Sequence, residues 1–241
     1  MKDLIVSFAS KGRDNYNRSL LRLIDSCKEH WAGDLLIYSP DHEHAEYRGV
    51  TINKGWPNPE FLKSYTHSEM PYQFKTALIQ KGLEMGYQRI IWLDSSMQLK
   101  KDLTPLFDTK YGITTFHNLG HPTYKYLSDN AEKLLRDEGH FVGWTPLEQI
   151  DQLWGGAFAL DFNNENAKRF FTDLRKFSIN GSFKDSGSTR SGFVAHRHDQ
   201  SVMSVLLHGK CNMLPYGEIL CPPHDTSGEY GTDPYLVCRG L

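Results

Sequence analysis

Arg89-Ile90-Ile91-Trp92-Leu93-Asp94-Ser95-Ser96 decides the fold. Ile90 to Leu93 is an unbroken apolar run, short enough for a strand and too short for a buried helix. It shows no polar alternation, so both of its faces must be covered, as in a sheet sandwiched between helices. The run delivers a carboxylate and two hydroxyls at its end. In open α/β sheets ligands bind beyond the carboxyl ends of the strands, which is where Asp94 falls. Asp is also a common turn former, so for a lone Asp at this place a purely structural role stays open.

Working outward, Pro71 fits the first turn of a preceding helix, with Phe74, Ala77, Leu78 and Met85 as its apolar face and Gly86 placed to end it. Near the start, Leu4 to Ala9 reads as a buried strand. Leu20, Leu23, Ile24, Cys27 and Trp31 recur at helical spacing, and Leu35 to Tyr38 forms a second short apolar run. This strand–helix–strand opening predicts an α/β sheet. Residues 41–70 are polar and predict irregular structure; 109–150 are mixed and aromatic and read as a substrate-facing insertion. Trp154 to Leu160 predicts another strand, carrying the pair Gly155-Gly156. Asn163 or Asn164 can cap a helix whose apolar face is Ala167, Phe170, Phe171, Leu174 and Phe177. Residues 180–193 are rich in Gly and Ser and predict a mobile loop. His198-Asp199-Gln200-Ser201 opens a helix carrying Val202, Val205 and Leu206, and the tail from Gly217 has little periodicity. No repeat or linker divides the chain, which predicts one domain over 1–241.

The 241 residues are 39% hydrophobic and 23% charged, enough apolar material for a core and too little charge for a disordered chain. The net charge of -2, without a basic block, argues against nucleic acid as the main partner, although a local patch can hide in a neutral total. Cys27, Cys211, Cys221 and Cys238 show no two-residue spacing of a zinc knuckle or redox pair, and they read as reduced thiols. The short N-terminal apolar run and the lack of a membrane-spanning stretch complete the expectation of a cytoplasmic protein.

The helix, then Gly86-Tyr87, then the strand ending in Asp94 resembles the nucleotide-sugar-binding half of GT-A glycosyltransferases, in particular the glycogenin-like group. The resemblance runs in order through most of the chain. It implies a single α/β domain with a central mixed, mostly parallel sheet flanked by helices, and transfer of a sugar from a nucleotide-sugar donor to a hydroxyl of a glycan, lipid-linked sugar or protein. Members carry Asp-x-Asp at this point; here it stands as Asp94-Ser95-Ser96, with Ser96 in place of the second carboxylate. A hydroxyl is a poor ligand for a hard dication. Mn2+ or Mg2+, if used, would then rest on Asp94 and the late His224, or cationic side chains would offset the diphosphate instead. The resemblance also places Ser7, Phe8 and Ala9 near the base and ribose, with Phe8 read as a core residue before a platform. It places Lys75 toward the donor phosphates, a solvated helix lysine being the other reading. It places Gly155-Gly156 along the sugar, where backbone approaches closely, tight strand packing being the other reading. Asp199 and Gln200 fall at the sugar and acceptor, with Asp199 as base or orienting group.

Rival readings stay open at this level. A sugar nucleotidyltransferase would need a glycine-rich loop, and Ser10 to Asn15 holds only Gly12. A metal-dependent hydrolase could use His196, His198 and His224 with Asp94. The missing second carboxylate also fits a nucleotide-sugar-binding protein that has lost catalysis. The glycosyltransferase reading predicts that Asp94→Ala and Asp199→Ala each abolish transfer while leaving the fold intact.

Overall fold

The computed structural model describes residues 2–10, 14–57, 72–141, 146–220 and 234–238. In chain order the strands and helices are β1 Leu4–Phe8, α1 Asp14–His30, β2 Asp34–Tyr38, β3 Glu46–Tyr47, β4 Val50–Asn53, α2 Gln73–Glu84, β5 Arg89–Leu93, β6 Met97–Leu99, β7 Ile113–Pro122, α3 Asp129–Asp137, β8 Asp151–Asp161, α4 Glu165–Ile179, α5 His198–Leu207, β9 Asn212–Leu214, β10 Ile219–Leu220 and β11 Leu236–Cys238.

The main sheet has eight strands in the order β3-β4-β2-β1-β5-β8-β7-β9. β4, β2, β1 and β5 run parallel; β8 turns antiparallel to both β5 and β7. This is the α/β architecture expected from the sequence: a mixed, mostly parallel sheet with helices on both faces. Residues alternate across the parallel strands, as the pleat requires. Leu4, Val6, Phe8, Ile90 and Trp92 face one core, shared with α2, α4 and α5 through Leu78, Phe170, Leu174, Val202 and Leu206. Ile5, Ala9, Ile91 and Leu93 face the other, against Leu20, Leu23, Ile24 and Cys27 of α1. Every residue of β5 from Ile90 to Leu93 is 1% exposed or less, which explains why its run carries no polar break.

Five regions differ from expectation. Within 41–70, expected to be irregular, the chain builds β3 and β4, which form one edge of the main sheet. Pro71 lies outside the described residues, and α2 begins at Gln73. Its buried face holds Gln73, Lys75, Thr76, Leu78, Ile79 and Gly82, while Met85 is 51% exposed. Polar side chains take the inner positions with partners there; the Thr76 hydroxyl, for example, lies 3.0 Å from Gln73 O and 3.1 Å from Ser178 Oγ. Within 109–150 the chain builds β7 and α3, the latter capped by Ser128, whose Oγ accepts from the Ala131 N–H. Residues 180–193 are tied down rather than loose. Asp129 accepts from the Thr189 N–H at 2.9 Å, and Arg190 Nη1 donates to Tyr124 O at 2.7 Å and Leu127 O at 3.0 Å while its other arm pairs with Glu132. The tail supplies β10 and β11, which join β6 in a three-stranded sheet beneath Met97 and Leu99. Among the described residues no helix is long and apolar enough to cross a membrane.

Candidate functional site

Asp94 follows β5 directly, and its N–H donates to Gly156 O at 2.8 Å, so the carboxylate is fixed against the glycine pair of β8. Trp92 and Asp94 share a strand face, and the Trp92 indole N–H donates to Asp94 Oδ1 at 2.8 Å. The Lys75 ammonium comes in from α2 and lies 3.4 Å from the same Oδ1, 2.8 Å from Asp199 Oδ2 at the start of α5, and 2.6 Å from Gly155 O, to which it donates. Four elements thus converge on one cation.

A β-bulge frees the glycines for this work. Phe158 pairs with Thr115, but the next pairing toward the start of β8 is Leu153 with His117, so Trp154 to Ala157 stand opposite Phe116 alone. Bulged residues leave the ladder and must satisfy their peptide groups elsewhere. Gly155 does so with the site itself: its carbonyl accepts a hydrogen bond from the Lys75 ammonium, and its N–H donates to Gln200 Oε1 at 3.3 Å. Gln200 Nε2 in turn donates to Gln152 Oε1 at 2.7 Å, and Gln152 Nε2 to Ser201 Oγ at 3.0 Å. A Cβ on Gly155 would sit 2.9 Å from Gln200 Cβ, which is too close. Gly155→Ala is therefore expected to push β8 from α5 and cost about 1–3 kcal/mol, read by chemical denaturation.

Electrostatically the cluster has one carboxylate more than it has cations. The Lys75 and Asp199 side chains are 3% and 5% exposed, that of Asp94 35%. Burial alone would lower the Lys75 pKa, but Asp199 and Asp94 outweigh it and hold the ammonium above the ordinary lysine range. Burial raises the Asp199 carboxyl above its usual range, against the opposing pull of Lys75. The Lys75 approach to Asp199 Oδ2 is close in distance but off the angle of a hydrogen bond, so that oxygen has a charge partner and no aligned donor. Tyr72 closes the cluster with its ring 4.9 Å from Lys75 Nζ; burial, then the Asp199 charge, push its phenol up to about 12. Its ring also lies 5.2 Å from that of His198. Both residues hold positive φ, 61° and 48°, strain of about 1–3 kcal/mol each that tends to gather at functional sites.

The predicted site residues therefore divide. Lys75, Asp94, Gly155, Gly156, Asp199 and Gln200 come together. Lys75 is spent on protein acceptors, not turned outward as expected for a residue meeting phosphate. Ser95 is buried, and Ser96 Oγ lies 3.6 Å from Cys238 Sγ of β11. Phe8 is 6% exposed with its ring stacked on Phe74 at 4.4 Å, a packing role. Ser7 and Ala9 are buried toward the α1 layer, the opposite side of β1 from Phe8 and α2. His224 lies outside the described residues. Trp92, Tyr72 and Gln152 were not anticipated; Trp92 could have been, since a residue two before Asp94 on a strand shares its face.

Among the described residues no group of three or more His, Cys, Asp or Glu is arranged to hold a metal ion, and of the Asp94–His224 pair only Asp94 is described, its Oδ1 shared by Trp92 and an ammonium. Of the hydrolase constellation, His224 lies outside the described residues and His196 is already committed. His196 Nδ1 accepts from the Ser128 N–H at 3.2 Å and its Nε2 donates to Ser182 O at 2.8 Å, so neither nitrogen is left to ligate. His198 Nδ1 meets Phe183 O at 2.7 Å.

His196 instead sets a pH dependence. Burial lowers its pKa from 6.5 to about 4, because protonation would both charge a buried ring and cancel the acceptor that Ser128 needs. A lowered pKa means that the folded state binds fewer protons than the unfolded one. The contribution is thus whole above pH 6.5 and is lost as pH falls toward 4, up to about 3 kcal/mol. Urea denaturation at pH 7.5 and 5 is expected to show this loss in the parent and a smaller one in His196→Asn.

The chain has a glycosyltransferase-like α/β fold. It is similar to the apo structure of WbbM, a bifunctional glycosyltransferase, with a TM-score of 0.60, 14% sequence identity and 100% of this chain covered. This chain spans 46% of the length of that one. No protein-family model and no curated protein matches the sequence.

Proposed function

We propose that the chain is a glycosyltransferase that moves a sugar from a nucleotide-sugar donor to a hydroxyl of a glycan, lipid-linked sugar or protein acceptor. The observation that carries this reading is the convergence of Asp94, Lys75 and Asp199 at the carboxyl end of β5, beside a bulge that carries two glycines. In this reading Asp94 Oδ2, which no described side chain claims, accepts from a donor hydroxyl. Gly155 and Gly156 let the sugar lie against backbone, and Asp199 and Gln200 hold the sugar-facing wall. Lys75 is a positioning residue: it fixes both carboxylates and the Gly155 carbonyl rather than touching phosphate. The similarity to a glycosyltransferase structure over the whole chain supports the same class.

The test is a thermal-shift screen of the purified protein against UDP-, GDP-, dTDP- and CMP-sugars, with and without Mn2+, followed by turnover of any ligand found. A ligand at 100 times its Kd stabilises the folded state by about 2.7 kcal/mol. Binding of no nucleotide sugar sinks the proposal. Binding without turnover under any metal favours the second reading, a nucleotide-sugar-binding protein, for which Ser96 in the place of a carboxylate is the specific observation.

A further inference from the structure

The bulge that frees Gly155 also aims Trp154. Its indole packs partly buried on the α1-side core, and among the described residues no acceptor takes its N–H. The position of that N–H is fixed by the neighbouring glycine. A Cβ built on Gly156 would lie 2.6 Å from Trp154 Nε1, 2.8 Å from the Met97 methyl and 3.0 Å from Asp94 Oδ2. A donor and an acceptor therefore lie near each other over Gly156, with the Met97 methyl packed beside them, and the absence of a side chain at Gly156 makes room for all three. Asp94 Oδ1 is committed to Trp92 and Lys75, so Oδ2 is the oxygen that remains.

One N–H donor beside one carboxylate oxygen suits two adjacent ring hydroxyls, one accepting and one donating. A tryptophan supplies that donor on a flat apolar body, which a phenylalanine would not. We infer that Trp154 is a specificity-determining residue whose N–H, with Asp94 Oδ2, reads a vicinal diol of the donor. The inference rests on the glycosyltransferase reading. The diol belongs either to the ribose of the nucleotide or to the sugar being transferred.

Trp154→Phe keeps an aromatic ring, smaller than the indole, and removes the donor. The probes are the tightest-binding nucleotide sugar of the screen and its free nucleoside diphosphate, titrated calorimetrically into parent and variant. Loss of this hydrogen bond is expected to weaken binding about tenfold. An equal loss for both probes assigns the diol to the ribose; a loss confined to the nucleotide sugar assigns it to the sugar. Unchanged affinity for both probes, in a variant with the parent's melting temperature, overturns the inference and leaves the proposed function standing. A parent that binds none of the panel overturns both. Gly156→Ala provides a second route should Trp154→Phe not fold: its methyl must push Nε1 and Oδ2 apart, and it is expected to reproduce the same pattern of losses.

Discussion

Lys75→Met is expected to lower the unfolding free energy by about 3–5 kcal/mol and to abolish sugar transfer. Removing one partner of a buried ion pair leaves the other charge without compensation in a place where water cannot reach it. Here the stranded group is Asp199, 5% exposed, and the Gly155 carbonyl loses its donor as well. The same logic corrects the expectation that Asp199→Ala spares the fold: that variant strands Lys75, itself 3% exposed, and is expected to melt earlier too. The double variant Lys75→Met/Asp199→Leu separates the two effects. A buried pair replaced by apolar groups of similar volume often costs nothing, so stability should largely return while transfer does not. Denaturant midpoints on the three variants check this. A Lys75→Met protein as stable as the parent would show that the ammonium is not the tie between α2, β8 and α5.

Asp94→Asn is expected to behave in the opposite way. The amide keeps the shape and still accepts the Trp92 N–H, and the side chain is 35% exposed, so stability should change by less than about 1 kcal/mol. If the proposed function holds, loss of this charge is expected to lower kcat/KM by about 10²–10³, the usual scale for removing one preorganised polar group. Steady-state kinetics with the donor found in the screen, alongside a melting curve, give both numbers. Full activity in Asp94→Asn would remove the strand end from the chemistry.

The parts of the fold legible in the sequence are those whose burial has a simple period. β5 is buried on both faces and reads as an apolar run; α4 is buried on one face and reads at steps of three and four. β7 was hidden because Thr114 and Thr115 are buried and polar, so Ile113 to Phe116 shows neither alternation nor an apolar run. The join of β6 to β11 was hidden because it spans more than half the chain and leaves no local trace. At the site, Asp94, Asp199 and the glycine pair were legible as residue types placed at strand and helix ends. The orientation of Lys75 was not. A lysine on a helix reads as solvated, and only the three-dimensional meeting of two carboxylates and a carbonyl makes full burial tolerable.

A consequence for mutational scanning follows from the bulge in β8. Three of the contacts that hold the site, Gly155 O to Lys75, Gly155 N to Gln200 and Gly156 O to the Asp94 N–H, are made by peptide groups. No codon change deletes a carbonyl, so a library of point substitutions records only the steric cost at these positions and passes over their hydrogen bonds. Two other perturbations reach them. Amide-to-ester exchange at Gly155 removes the N–H that Gln200 receives. A one-residue deletion between Trp154 and Ala157 slides the strand and presents the wrong peptide to the lysine.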